Sequence, residues 1–181
     1  MLRTSLTKTT RWLLPLMALS LTGCGVTQSI TDGTKSAFNA VFYKQIKVLH
    51  LDFTAREALN TDSRESNSLS EPVVVRIYQL KDRKTFDKTI YQQLLKDGET
   101  VLNADLLASR DVVVKPGGDA NLNMPMEVDA QFVAVVGLFR HPDMVNNTWK
   151  LVIGREDLVP DKPRILEAGD NSLTLQPLKD D

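Results

Sequence analysis

Leu21-Thr22-Gly23-Cys24 are the residues with the most definite chemistry, because they set a thiol behind small side chains and a short apolar run. That arrangement is an acylation site. During export the cysteine sulfur takes a diacylglycerol, the chain is cut before it, and the new amino terminus takes an amide-linked acyl chain. Ahead of it Arg3, Lys8 and Arg11 stand in a stretch without acids, followed by an apolar block over residues 12–21 broken only by Pro15 and Ser20. The block matches the roughly 7–15 residues of a signal-peptide core and falls short of the ~20 that span a bilayer as a helix. An ordinary secreted protein, cut near Ala18 with a free thiol at Cys24, is the plainer alternative. It is disfavoured because the chain has one cysteine, so no intramolecular disulfide can occupy it, and an unpaired thiol is out of place in an oxidising compartment. Three acyl chains at about 0.8 kcal/mol per buried methylene would make the anchoring in effect permanent. Residue 25 is Gly. Among lipoproteins as a class, Asp there commonly holds the protein in the inner membrane, so the periplasmic face of the outer membrane is expected. Beyond the covalent diacylglycerol and N-acyl chain on Cys24, no cofactor is expected.

Other reactive constellations each lack a required part. The chain has two histidines: His50 alternates with apolar residues, and His141 opens the loop His141-Pro142-Asp143. Neither has a second histidine at metal-ligand spacing, so both read as surface or edge-strand imidazoles. No Gly-x-Ser-x-Gly elbow exists for a serine nucleophile. Pro116-Gly117-Gly118-Asp119 lacks the lysine and the following helix of a phosphate loop and reads as a turn. The adjacent acids Glu156 and Asp157 read as solvated. Lys81, Arg83, Lys84 and Lys88 could meet lipid headgroups or an acidic partner, but a solvated face is the better reading because the exported chain is acidic. Asn146-Asn147-Thr148 fits a glycosylation acceptor, which has no bearing in a bacterial host. Catalysis is not expected.

Removal of residues 1–23 leaves 158 of the 181 residues, with 19 Lys+Arg against 23 Asp+Glu and a formal charge of −4. A nucleic-acid partner would need a basic footprint, which is missing. One domain of this length buries about two-thirds of its unfolded surface, so neither metal nor disulfide is needed to hold it together.

The elements that would carry these residues follow from periodicity. Residues 24–45 read as a lipidated tether with a helical end, on the partly helical spacing of Ile30, Phe38, Val41 and Phe42. Residues 46–181 read as one domain. In 46–54 and 73–80 the period is two, with Leu49, Leu51 and Phe53, then Val73, Val75 and Ile77, on one face. Between these strands, residues 55–71 form a polar loop longer than the ~12–15 residues usual without a functional reason. Phe86, Ile90, Leu94 and Leu95 share one face of a helix over 85–96, and Asp97-Gly98 should end it. A short second helix is expected near 104–108. Strands 111–115 and 120–128 should form a hairpin about the Pro-Gly turn. Residues 131–140 are apolar on both faces, which predicts a central strand with one face between sheets and the other under the 85–96 helix. Strands over 149–155, 164–168 and 171–176 complete eight. The expected fold is mainly all-β, an eight-stranded β-sandwich with a small helical insertion.

The order of these features resembles one known family. A lipobox, a first strand, a long polar loop, Pro72-Val73-Val74-Val75-Arg76-Ile77-Tyr78-Gln79-Leu80-Lys81 with the Phe86 helix behind it, Asp105-Leu106-Leu107-Ala108-Ser109-Arg110, Lys115-Pro116-Gly117-Gly118, and the 133–140 strand followed by Trp149 resemble the outer-membrane lipoprotein of the type VI secretion system, the TssJ or SciN family. The likeness covers essentially all of the exported chain, and its most specific piece is Arg76-Ile77-Tyr78-Gln79-Leu80 with the helix behind it. Gly118 stands where the family often has an acidic residue.

The resemblance implies a transthyretin-like sandwich held by its lipid at the outer membrane. It also implies a non-catalytic anchor that binds the periplasmic C-terminal domain of the inner-membrane protein TssM through the loop between the first two strands. Here that loop is 55–71, with Leu59 and Leu69 as the apolar residues of an interface centre and Asn60, Asp62, Arg64 and Glu65 as its polar rim. No small-molecule substrate is implied. The competing reading is a periplasmic carrier or chaperone lipoprotein holding a lipid or peptide between its sheets, which requires a large apolar cavity there.

Overall fold

The structure is a computed structural model describing residues 45–178 except 63, 66 and 67. Cys24, the expected leader and all but the last residue of the expected tether lie outside the described residues, which belong to the compact unit Lys44–Asp181. Eight strands form: β1 Val48–Leu59, β2 Val73–Leu80, β3 Leu106–Val114, β4 Asp119–Pro125, β5 Phe132–Gly137, β6 Lys150–Gly154, β7 Arg164–Asp170 and β8 Ser172–Leu175. They build two four-stranded sheets, ordered β4-β1-β7-β8 and β3-β2-β5-β6. Every pairing is antiparallel except β1 with β7. The eight-stranded sandwich expected from the alternation is the observed fold.

Alternation decides what lies between the sheets. Leu49, Leu51 and Phe53 of β1 face Val73, Val75 and Ile77 of β2, and Ile77 pairs in register with Val135. These side chains are almost wholly buried. Gln79 sits on the same inward face and is satisfied there, donating to the Pro125 carbonyl at 2.8 Å and accepting from the Glu127 N–H at 2.7 Å. A buried amide joined to the opposite sheet fixes the register of the two layers, since leaving it unpaired is costly.

The other face of the second sheet is covered by two helices, α1 Lys84–Lys88 and α2 Tyr91–Leu102. The expected cover is thus in place, but its bounds differ. Asp97-Gly98 does not end the helix; Asp97 leaves helical geometry (φ −145°, ψ 38°) and the helix resumes to Leu102. Gly98 packs against the Tyr78 hydroxyl, where any Cβ would collide, so this glycine serves close approach rather than termination. Lys150 of β6 donates to the carbonyls of Phe86, Asp87 and Thr89 at 3.1–3.3 Å, closing the α1 terminus onto the sheet.

Three further expectations are corrected. Residues 104–108 are not a helix, because β3 begins at Leu106 to pair with Leu80. β3 and β4 are not a hairpin: β3 pairs with β2 and β4 with β1, so the Pro116-Gly117 turn carries the chain from one sheet to the other. β1 does not stop at residue 54 but runs to Leu59, with a bulge between Ala55 and Leu59 against β7. The connection to β2 is therefore 60–72.

Candidate partner interface

Four connections meet at one end of the sandwich: 60–72 between β1 and β2, the Pro-Gly turn at 115–118, 138–149 between β5 and β6, and the tight β7–β8 turn. The chain enters β1 at the other end. Strand directions alone impose this, since β1 and β7 run toward the four connections and β2 and β6 away from them.

The described residues of 60–72 are bound into the end rather than hung from it. Asn60 takes a left-handed backbone (φ 51°), which Asn tolerates better than most residues. Its amide group donates to the Pro72 carbonyl at 3.1 Å and accepts from the Arg140 N–H at 2.8 Å, while its N–H donates to the Asp170 carbonyl. The Arg140 guanidinium donates to the Asn60 carbonyl and to Glu71. From the β7–β8 turn, Asn171 donates to the Thr61 carbonyl at 2.9 Å.

Asp62 is the second fastening. Its carboxylate accepts from the backbone and guanidinium of Arg64 at 3.0–3.1 Å, and lies 2.8 Å from Nε2 of His141. The Arg64 side-chain bond first, then its backbone bond, hold the Asp62 carboxyl well below the usual carboxylate range. The Asp62 N–H donates to Ser68 across the turn.

The residues assigned from sequence therefore divide. Arg64, Glu65 and Leu69 are exposed, Leu69 at 74%. Asn60 and Asp62 are mostly buried and act as the loop's internal fastenings. Leu59 is a correction: it is 0% exposed, within the core at the end of β1, and cannot be an interface centre in this fold. Its apparent place in the loop came from ending β1 five residues early. Sequence reasoning missed Arg140 and took His141 only for a surface imidazole opening a loop; both follow β5 and return to the 60–72 connection, and their trace in the sequence was a polar pair set directly after an apolar strand.

The connection 138–149 has a fixed base and an exposed tip. Phe139 and Trp149 are buried at its two ends, and Tyr91 of α2 joins them, its ring 5.0 Å edge-on from Trp149 and its hydroxyl bonded to the Phe139 carbonyl at 2.5 Å. Burial pushes the Tyr91 hydroxyl up to about 12. At the tip, Asp143 accepts from the N–H groups of Val145 and Asn146 at 2.9 and 3.0 Å. Among the described residues, no group of three metal-ligating side chains gathers, and no helix is long and apolar enough to cross a membrane.

The model of one protein family, described as type VI secretion lipoprotein with VasD, EvfM and TssJ among its names, matches residues 47–176. The chain belongs to that family. This type VI secretion lipoprotein also resembles solved structures. A chain in one described as "Type VI membrane complex" is 46% identical, with a TM-score of 0.68, covering 74% of this chain and 100% of that one. A chain in one described as "T6SS protein TssM C-terminal domain (869-1107) from EAEC" is 44% identical, with a TM-score of 0.66 and the same coverage. The Serratia marcescens Lip protein, described as a membrane-bound component of the type VI secretion system, shares the fold at 19% identity, with a TM-score of 0.62, covering 72% of this chain and 98% of that one. Comparison with curated proteins gives no match.

Proposed function

We propose that this type VI secretion lipoprotein is a non-catalytic anchor: acyl chains on Cys24 hold it at the periplasmic face of the outer membrane, and the end bearing residues 60–72 binds the C-terminal periplasmic domain of TssM. The observation that carries this is the 44% identical chain in a structure described by that TssM domain. The named fragment, 869–1107, is far longer than the part of this chain that covers the matched chain completely, which supports a lipoprotein-like chain beside the fragment rather than the fragment itself.

The geometry agrees with capture rather than catalysis. Asn60 and Asp62 fasten the described residues of the loop to the end of the sandwich, which reduces the ordering cost of binding. Confinement of both proteins to the thin periplasm raises their effective concentration, so moderate intrinsic affinity suffices. The carrier reading finds no support, because Leu51, Phe53, Val75, Ile77 and Val135 occupy the space between the sheets.

The test is titration calorimetry of the purified, detergent-solubilised lipoprotein with the TssM C-terminal domain from the same bacterium. Leu69→Asp with Glu65→Arg, both on the exposed turn, should weaken binding at least tenfold without moving the melting temperature. Binding unchanged by the pair, or no binding by the unaltered protein, overturns the reading.

A further inference from the structure

We propose that Met144 and Val145, at the tip of the β5–β6 connection, are the apolar anchor of the partner surface, so that TssM is gripped by two loops and not by residues 60–72 alone. The proposal rests on the reading above and adds the residues at its centre.

Residues 60–72 are short of apolar surface. With Leu59 buried, Leu69 is the one large apolar side chain exposed among the described residues of that loop. Protein interfaces draw most of their energy from a desolvated apolar or aromatic centre, and a polar rim by itself supplies little. The β5–β6 connection offers what is missing: Val145 is 88% exposed and Met144 52%.

Continuity joins the two loops into one surface. Arg140 and His141, which begin the β5–β6 connection, are the residues that grip Asn60, Glu71 and Asp62. A partner seated on Arg64, Glu65 and Leu69 therefore meets a neighbouring loop tied to its own landing site through side chains at 2.8–3.2 Å.

The tip is also preformed. Asp143 is held ionised below the usual carboxylate range by its bonds from Asn146 and Val145 and fixes the backbone of both residues. Asn147 completes the turn with a left-handed backbone, φ 54°. Two apolar side chains are thus presented on a rigid frame, where burial costs little ordering. Other exposed apolar side chains lack this setting: Val128 lies in the β4–β5 connection at the end where the chain enters, and Val113 lies on edge strand β3. The occupant is the TssM C-terminal domain, presenting an apolar recess to the Met144–Val145 tip beside a polar surface for Arg64 and Glu65.

Val145→Asp and Met144→Asp, each in the detergent-solubilised lipoprotein, are titrated with the TssM C-terminal domain and examined by sedimentation alone. Each should weaken binding at least tenfold while sedimentation and melting stay those of the unaltered protein. If either loses its cooperative melt, the milder pair Met144→Ala with Val145→Ala replaces it and should weaken binding at least fivefold. Affinity within twofold of the unaltered protein, while Leu69→Asp with Glu65→Arg still abolishes binding, overturns this proposal and leaves the anchor reading standing. A change from dimer to monomer caused by Val145→Asp also overturns it, by assigning the tip to self-contact. Failure of the unaltered protein to bind sinks both.

Discussion

Asn60 joins three connections through its backbone and one amide, so a single substitution separates strain from bonding. Asn60→Ala places a Cβ-bearing residue without side-chain bonds at φ 51° and leaves the Arg140 N–H unpaired, which should cost about 2–3 kcal/mol. Asn60→Gly relieves the backbone but not the lost bonds and should fall between Ala and the native protein in urea titration. Equal stabilities for Ala and Gly would show that the left-handed backbone stores no strain there. Tyr91 makes a second residue-scale prediction. Its hydroxyl is raised to about 12 in the fold against about 10 in an unfolded chain, so the unfolded state ionises first as the solution becomes alkaline. The stability tied to its neutral form is fully present below pH 10 and is lost as the pH rises toward 12. Tyr91→Phe removes this dependence, and melting temperatures of the two proteins followed across that window should converge.

At the scale of elements, the packing of each sheet face can be tested apart from the loops. Ile77→Ala and Val135→Ala should each cost about 1–4 kcal/mol through lost burial and a residual cavity between the sheets. Gly98→Ala should cost about 1–3 kcal/mol for the opposite reason, because the added methyl must push α2 off the Tyr78 hydroxyl. Thermal denaturation of all three checks both claims, and an unchanged melt for Gly98→Ala would show that the helix can slide. The strands were legible because alternation is a local property: Leu49-Leu51-Phe53 and Val73-Val75-Ile77 show their inward face in the order of residues alone. What could not be read locally is pairing. The Pro116-Gly117 turn has the same chemistry whether it closes a hairpin or carries the chain between sheets, and Asp97-Gly98 has the same composition as a helix stop although Gly98 is placed for a tyrosine from β2. The connection between β1 and β2 was visible by its length and polarity. That Leu59 points inward depends on β1 continuing alongside β7, and that Arg140 and His141 return to it depends on the β5–β6 connection, both contacts between residues distant in the chain.

For the whole molecule, anchoring and folding should separate. Cys24→Ser removes the sulfur proposed to carry the lipid while every core residue of the sandwich remains, so the protein should fold, fail to incorporate labelled palmitate, and fail to support secretion; normal palmitate incorporation would sink the lipid assignment. The path of the chain then acquires a mechanical meaning. β1 is a central strand, hydrogen-bonded to β4 on one side and β7 on the other. The chain from Cys24 enters at its first residues, and its last residue leads directly into 60–72. Where it enters, the Ile46 and Lys47 carbonyls are fastened by Arg155 and by the Met126 N–H. Tension between a lipid at one terminus and a partner on the loops would run along β1 from end to end. The covalent backbone of β1 bears such a pull directly. Only the share that leaves through the other connections of that end loads the two ladders flanking β1 in shear, where their bonds must fail together rather than open one after another as they do when a sheet is peeled from its edge. The same strand that sets the register of the first sheet is placed to work as a tendon, and resistance to force would then reside in its unfolding barrier rather than in its equilibrium stability.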